Sequence, residues 1–186
     1  YSSAASDVYK RQGYIYAYGL NLQDKRWLFF ESNAPMTAVY EGEEAPNGES
    51  IAAAGYDANN GVVYALENSG KLYRYSGINP QSGKLTGRTQ VATVAGADGI
   101  NEMAFNNADG QLYAISGAAN LMTVDVNTGA VTEIGQFGSG VVAMDFDSNG
   151  TLWIVDLYGA LCSVNLNTGS CLLYTSPSPR DAHESR

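Results

Sequence analysis

Between residues 145 and 156 the chain carries oxygen-bearing side chains at a spacing that could hold a hard cation. In Asp145-Phe-Asp147-Ser-Asn149-Gly150, followed by Leu152 and Asp156, the oxygens fall at alternate positions ahead of a glycine. That is the pattern of an EF-hand loop, with Asp156 where a glutamate usually stands. Carboxylate and amide oxygens bind calcium, and the glycine allows the sharp bend. The competing reading is a hairpin turn. Gly150 lines up with Gly61 and Gly110, whose neighbourhoods, Asp57 to Gly61 (DANNG) and Asn106 to Gly110 (NNADG), are Asn/Asp-Gly turns. A strand from Thr151 to Val155 would also carry Asp156 away from the turn. The turn is preferred, and calcium at Asp145, Asp147, Asn149 and Asp156 stays as the alternative.

Other chemistry has less material. The single histidine is His183, in a terminal segment discussed below. Between residues 13 and 170 there is no imidazole to complete a triad, bind a metal or activate Cys162. Glu102 and Asp145 could form a glycosidase-type carboxylate pair if the fold brought them together. The glycine-rich run Gly135 to Gly140 lies between strand signals with no helix after it, so it reads as a connector and not a phosphate cradle. Glu41, Glu43 and Glu44 read as a solvated loop. Aromatic rings could stack on a sugar, but Tyr64, Tyr113 and Trp153 recur at one repeat position, which favours packing between sheets. Trp27 and Tyr158 do not recur and are the better candidates for an exposed contact with a protein or glycan.

The elements that would position these residues are short strands. From Asn101 to Gly135 four of them follow one another. Met103 to Phe105 leads into the turn Asn107 to Gly110, and Gln111 to Ile115 returns. Leu121 to Val126 alternates and ends at Asn127-Thr128-Gly129, after which Val131 and Ile134 begin a fourth strand. Runs of β-branched and aromatic residues between Asn/Asp/Gly turns are the signal for strands and hairpins. The unit repeats. Phe105, Gly110, Tyr113, Leu121, Val124 and Asn127-Thr128-Gly129 have counterparts in Phe146, Gly150, Trp153, Leu161, Val164 and Asn167-Thr168-Gly169. Upstream, Tyr56, Gly61, Tyr64, Leu72, Tyr75 and the turn Pro80 to Gly83 give a third copy. A four-stranded repeat of roughly 40 residues is the period of a β-propeller blade. The fold class expected is therefore all-β, a partial propeller of about two complete antiparallel blades with partial ones beside them, and almost no helix.

The termini do not continue this pattern. Ser2 to Gln12 (SSAASDVYKRQ) and Cys171 to Asp181 (CLLYTSPSPRD) resemble translations of the transposase adapters used in preparing sequencing libraries. Asp7 to Gln12 is encoded by GAT-GTG-TAT-AAG-AGA-CAG. The reverse complement of those codons, read one nucleotide out of phase, encodes Cys171 to Thr175 and opens Ser176. Residues 1–12 and 171–186 are set apart as adapter-derived artefact. The rest divides into a partial blade or preceding module at 13–48, a blade at 49–99 with an inserted loop at 77–87, a blade at 100–140, and a truncated blade at 141–170 that lacks its fourth strand. Without residues 171–186 a Cys162–Cys171 disulfide has no basis, and Cys162 reads as a small buried hydrophobe. The formal net charge of −9 at pH 7 argues against nucleic acid or anionic membrane as partner, and no run approaches the length of a membrane span.

Leu112 to Gly138, LYAISGAANLMTVDVNTGAVTEIGQFG, resembles the blade repeats of bacterial YVTN- and NHL-type propellers. Those carry a tyrosine in the second strand, an aspartate after the third and a Thr-Gly turn, matched here by Tyr113, Asp125 and Thr128-Gly129. In the third repeat Asn165 stands where Asp125 stands in the second. The likeness covers about residues 50 to 170. The Tyr- and Asn/Gly-rich wording is similar to that of secreted or surface-attached bacterial repeat proteins, which implies an extracellular or cell-surface location. The expected function is a fragment of a non-catalytic scaffold or binding module that has the remaining blades of its own chain as partner, and a protein or glycan beyond that. Two alternatives stand beside it: a propeller enzyme whose catalytic residues lie in other blades, and a structural propeller stabilised by calcium.

Overall fold

In a computed structural model of the chain, residues 51–77, 85–97, 99–117 and 119–173 are described, together with the backbone of 16–21, 26–31, 39–40 and 78. The strands are β1 (Tyr16–Asn21), β2 (Arg26–Glu31), β3 (Val39–Tyr40), β4 (Ile51–Asp57), β5 (Val62–Glu67), β6 (Lys71–Ile78) and β7 (Leu85–Thr93). They continue as β8 (Ile100–Asn106), β9 (Gln111–Ser116), β10 (Asn120–Val124), β11 (Val131–Gln136), β12 (Val141–Phe146), β13 (Leu152–Asp156), β14 (Leu161–Val164) and β15 (Cys171–Leu173). No helix occurs among the described residues.

Each set of four consecutive strands from β4 onward forms its own antiparallel sheet in sequence order, and β1-β2-β3 form a three-stranded one. The first hairpin of each four-stranded sheet turns at Gly61, Gly110 or Gly150, at φ of +65°, +77° and +78°. A side chain would be strained there, which is why glycine recurs. The first strand of every sheet also carries a bulge at the same place: Ile51/Ala53, Ile100/Glu102 and Val141/Ala143. Each bulge bends and twists its strand. The innermost strands β4, β8 and β12 lie side by side.

The sheets stack face to face, so their strands are covered on both sides. All of β5 is buried, and in β10 the adjacent residues Leu121 and Met122 are both buried. The alternation read from the sequence is present, but in β5 and β10 neither face is left to solvent. One cluster joins Tyr64, Leu66 and Leu72 of the first sheet to Met103, Phe105 and Leu112 of the second. Another joins Tyr113, Ile115 and Leu121 of the second to Met144, Leu152 and Ile154 of the third. Leu66, Leu72, Leu112, Ile115, Leu121 and Leu152 are among the largest fully enclosed side chains, each contributing about 1.5–3 kcal/mol. The sheets also meet at their outer rims. A side chain on Gly129 would overlap the Thr93 backbone of the preceding sheet, and one on Gly135 would overlap Thr168 of the following sheet.

Two details depart from the sequence reading. A fourth strand was not expected after residue 170, yet β15 pairs with β14 through Ser163–Leu172 and Val164–Cys171. It is three residues long, its side chains are exposed, and it adds backbone pairing without core. The insert read at 77–87 is narrower as a loop. Gly77 and Ile78 pair with Thr86 and Leu85 as an extension of the β6–β7 hairpin, leaving 79–84 outside the described residues. The connector read at Glu41 to Ser50 also lies outside them.

Candidate functional site

The four oxygen-bearing residues of the cation pattern are distributed along the third sheet. Asp147 opens the β12–β13 turn. Its Oδ1 accepts from the backbone N–H of Asn149 and Thr151, both at 2.9 Å, and its Oδ2 accepts from the Trp153 indole at 3.1 Å. Asp156 ends β13, opposite Val141, at the other end of the hairpin. Its Oδ1 accepts from the N–H of Tyr158 and Ala160, and its Oδ2 from the Ser139 hydroxyl at 3.2 Å. Asp145 accepts from the N–H of Phe146. Asp147 and Asn149 thus lie in the turn and Asp145 on β12 just before it, while β13 carries Asp156 to the other rim. No group of three or more His, Cys, Asp or Glu arranged to hold a metal occurs among the described residues. The N–H groups of Thr151 and Ala160, first among their donors, hold the carboxyls of Asp147 and Asp156 below the usual carboxylate range.

Glu102 and Asp145 are not brought into one row. Glu102 pairs with Ile115 and is buried, whereas Asp145 pairs with Trp153 and is exposed. Along the inner strands Glu102 corresponds to Ala143, and Asp145 to Ala104.

Two of the three recurring aromatics, Tyr64 and Tyr113, pack between sheets. Tyr64 stacks on Phe105 with centroids 5.8 Å apart, and Tyr113 meets Phe146 at 5.0 Å with the rings tilted by 56°. The polar tip of Tyr113 donates to Asp109 Oδ2 at 2.8 Å. Burial first, and that hydrogen bond second, push the phenol up to about 12. Trp153 makes the analogous bond to Asp147 but is only half-buried. Cys162 is enclosed, as expected.

Of the two non-recurring aromatics, Trp27 stands on β2 opposite Leu20, with its side chain outside the described residues. Tyr158 is 88% exposed and Leu157 67% exposed, together at the tip of the β13–β14 turn. The tip is fixed from beneath. Asp156 organises its backbone, and the N–H of Leu157 donates to Gly140 O at 3.0 Å, tying the turn to the β11–β12 connector. A side chain on Gly140 would come within 2.6 Å of Leu157 Cδ1, so the leucine side chain lies directly against the connector.

A constellation not read from the sequence lies in the first sheet. Glu67, 1% exposed, pairs with Arg88 at 2.7 Å, and the guanidinium lies 3.7 Å above the Tyr73 ring. The Ser69 hydroxyl donates to the other Glu67 oxygen at 3.3 Å. The partners come from different hairpins, so no local spacing announces them. On the second sheet an open polar groove of about 430 Å³ runs between two turns, past Gln111, Thr123, Asp125 and Asn127.

Four-stranded antiparallel meanders stacked face to face, with their first strands side by side, are the blades of a β-propeller. Solved structures share this architecture. A chain of a nidogen/laminin complex matches with a TM-score of 0.61 at 9% identity, over 89% of this chain and 63% of that one. A protein of unknown function from Bacteroides thetaiotaomicron VPI-5482 matches with a TM-score of 0.61 at 15% identity, over 95% of this chain and 49% of that one. A gluconolactonase from Xanthomonas campestris, XC5397, matches with a TM-score of 0.53 at 12% identity, over 81% and 52%. The chain thus spans about half to two thirds of the length of these structures. At the level of sequence, the family described as Domain of unknown function (DUF4394) matches residues 80–170. No curated protein sequence matches the chain. Among the described residues no helix is long and apolar enough to cross a membrane.

Proposed function

We propose that the chain is part of a larger propeller acting as a non-catalytic scaffold or binding module on a secreted or cell-surface protein, and that it offers the Leu157–Tyr158 tip to a protein or glycan. The observation that carries this reading is the tip itself: two large apolar side chains displayed on a turn that Asp156, Ser139 and Gly140 hold in one conformation. An ordered aromatic loses little freedom on contact, which is how tyrosine anchors interfaces. A structure of similar fold is a chain of a two-protein complex. The acidic chain is unsuited to nucleic acid. The opposing reading, an enzyme with its reactive groups in other blades, draws on the likeness to a gluconolactonase. Calcium, if it acts here, would sit at the β12–β13 turn on Asp145, Asp147 and Asn149.

The test places the full-length protein and its Tyr158→Ala variant on a glycan array and in affinity capture. At least one partner should bind the variant about tenfold more weakly, a loss of about 1.4 kcal/mol. Identical binding profiles would remove the tip from the function, and turnover of a lactone by the full-length protein would replace the scaffold reading with the enzymatic one.

A further inference from the structure

Charge is divided unevenly along this chain. From Thr89 to Leu173, a stretch that includes the whole of the second and third blades, there is no Lys, Arg or His against eight Asp and Glu. The nearest preceding cations are Lys84 and Arg88, and the Arg88 guanidinium is committed to Glu67. The second and third blades therefore carry a negative field with no cations of their own to offset it. Within that field stands the apolar tip of Leu157 and Tyr158.

The tip departs from the repeat. The corresponding turn of the first blade, between β5 and β6, presents Asn68 and Ser69, and that of the second, between β9 and β10, has Gly117 and Ala118. In the third, two large apolar side chains occupy the place, both exposed. The turn is held through backbone N–H groups on Asp156 and Gly140 O, so its geometry calls for neither leucine nor tyrosine. Val142, the residue that the β12 bulge adds, is 41% exposed at the same end of the blade, since its neighbour Val141 pairs with Asp156.

The surrounding chemistry separates a protein from a glycan as occupant. A sugar is held by polar side chains that converge on its hydroxyls beside an aromatic face. Here Asp156 and Ser139 are spent on the turn: Oδ1 accepts from the N–H of Tyr158 and Ala160, and Oδ2 from the Ser139 hydroxyl. What remains outward is the ring, with Leu157 next to it in the chain and Val142 at the same end, and neither aliphatic group can bond a hydroxyl. A protruding tyrosine and leucine suit an apolar pocket, the setting in which tyrosine anchors protein interfaces. The negative field does nothing for a neutral sugar and repels an acidic one, whereas it draws in a basic protein surface.

Resting on the reading of the tip as a binding element, we propose that its partner is a protein surface combining an apolar pocket with a rim of Lys and Arg. The pocket takes Leu157 and Tyr158 and sets the affinity. The carboxylates of the second and third blades steer the rim toward the tip and set the rate of encounter.

The test uses a phage-displayed library of cyclic random peptides, selected on the full-length protein and again on its Tyr158→Ala variant. Tyr158 is almost wholly exposed, so the variant should keep the parent Tm, and lost binding then reports the contact and not the fold. Peptides that prefer the parent should be rich in Lys or Arg and in apolar residues, and should bind the variant about tenfold more weakly. Their association should slow about tenfold between about 50 and about 500 mM NaCl. Tyr158-dependent peptides that are neutral or acidic, or association rates indifferent to salt, overturn the proposal. Tyr158-dependent binding to an array of neutral and acidic glycans, without such peptides, also overturns it but leaves the tip a binding element. No Tyr158-dependent binding to either library or array removes both readings.

Discussion

Tyr113 does two jobs at one position. Its ring fills the seam against Phe146, and its hydroxyl donates to Asp109 at the edge of the blade. With the phenol raised from about 10 in the unfolded chain to about 12 in the folded one, the sign of its pH dependence follows. The O–H form is the one the fold favours, so its contribution is complete below about pH 10 and falls as pH rises through about 12. Tyr113→Phe keeps the ring and loses the bond. We expect it to lower stability at neutral pH by about 1 kcal/mol. Denaturant titrations of both proteins from pH 8 to 12 should converge at the alkaline end, and curves that remain parallel would contradict the assignment. The recurrence of Tyr64, Tyr113 and Trp153 made the packing role legible in the sequence. The bond to Asp109 was not, because a turn aspartate is equally suited to capping its own loop. Asp156 teaches the same lesson: in a bare sequence a carboxylate that organises backbone N–H groups cannot be told from one that binds a cation.

At the scale of elements, strand count and turn positions were legible because they are set locally, by Gly61, Gly110 and Gly150 and the runs between them. Burial of both faces was not. Alternation discloses only that two faces differ, and stacking covers both. The Glu67–Arg88 pair was hidden for a related reason, since it depends on the register of β6 against β7 across a long hairpin. The outer clasp offers the sharpest test of how blades are joined. Gly135 lies within β11, where alanine should be harmless or slightly favourable by propensity alone. Its added methyl would instead strike the Thr168–Gly169 backbone. We expect Gly135→Ala to destabilise by about 1–3 kcal/mol through overpacking, read as a lower denaturation midpoint. An unchanged or raised midpoint would mean that the turn of the third blade does not press on the second.

For the whole molecule, the exposed forward face of the third blade matters more than any single residue. Leu161, Leu172 and Leu173 are all substantially exposed on that blade, and β15 is the edge of its sheet among the described residues. Open edges and uncovered sheet faces promote association. Repeat arrays also draw much of their stability from the interfaces between neighbours. The 186-residue chain should therefore aggregate or melt broadly. Light scattering and calorimetry would show this, and a sharp, concentration-independent melt of a monomer would argue the reverse.

The clasp also gives the assembly a direction in time. The Asn-Thr-Gly turn of the second and third blades rests on the outer strand of the blade before it, Gly129 on Thr93 and Gly169 on Gly135. A finished blade is thus the platform on which the next one closes. During synthesis, when amino-terminal units fold first, such a chain would ratchet forward one repeat at a time. The ribosome would always have a single sticky plane of the nascent protein to shield.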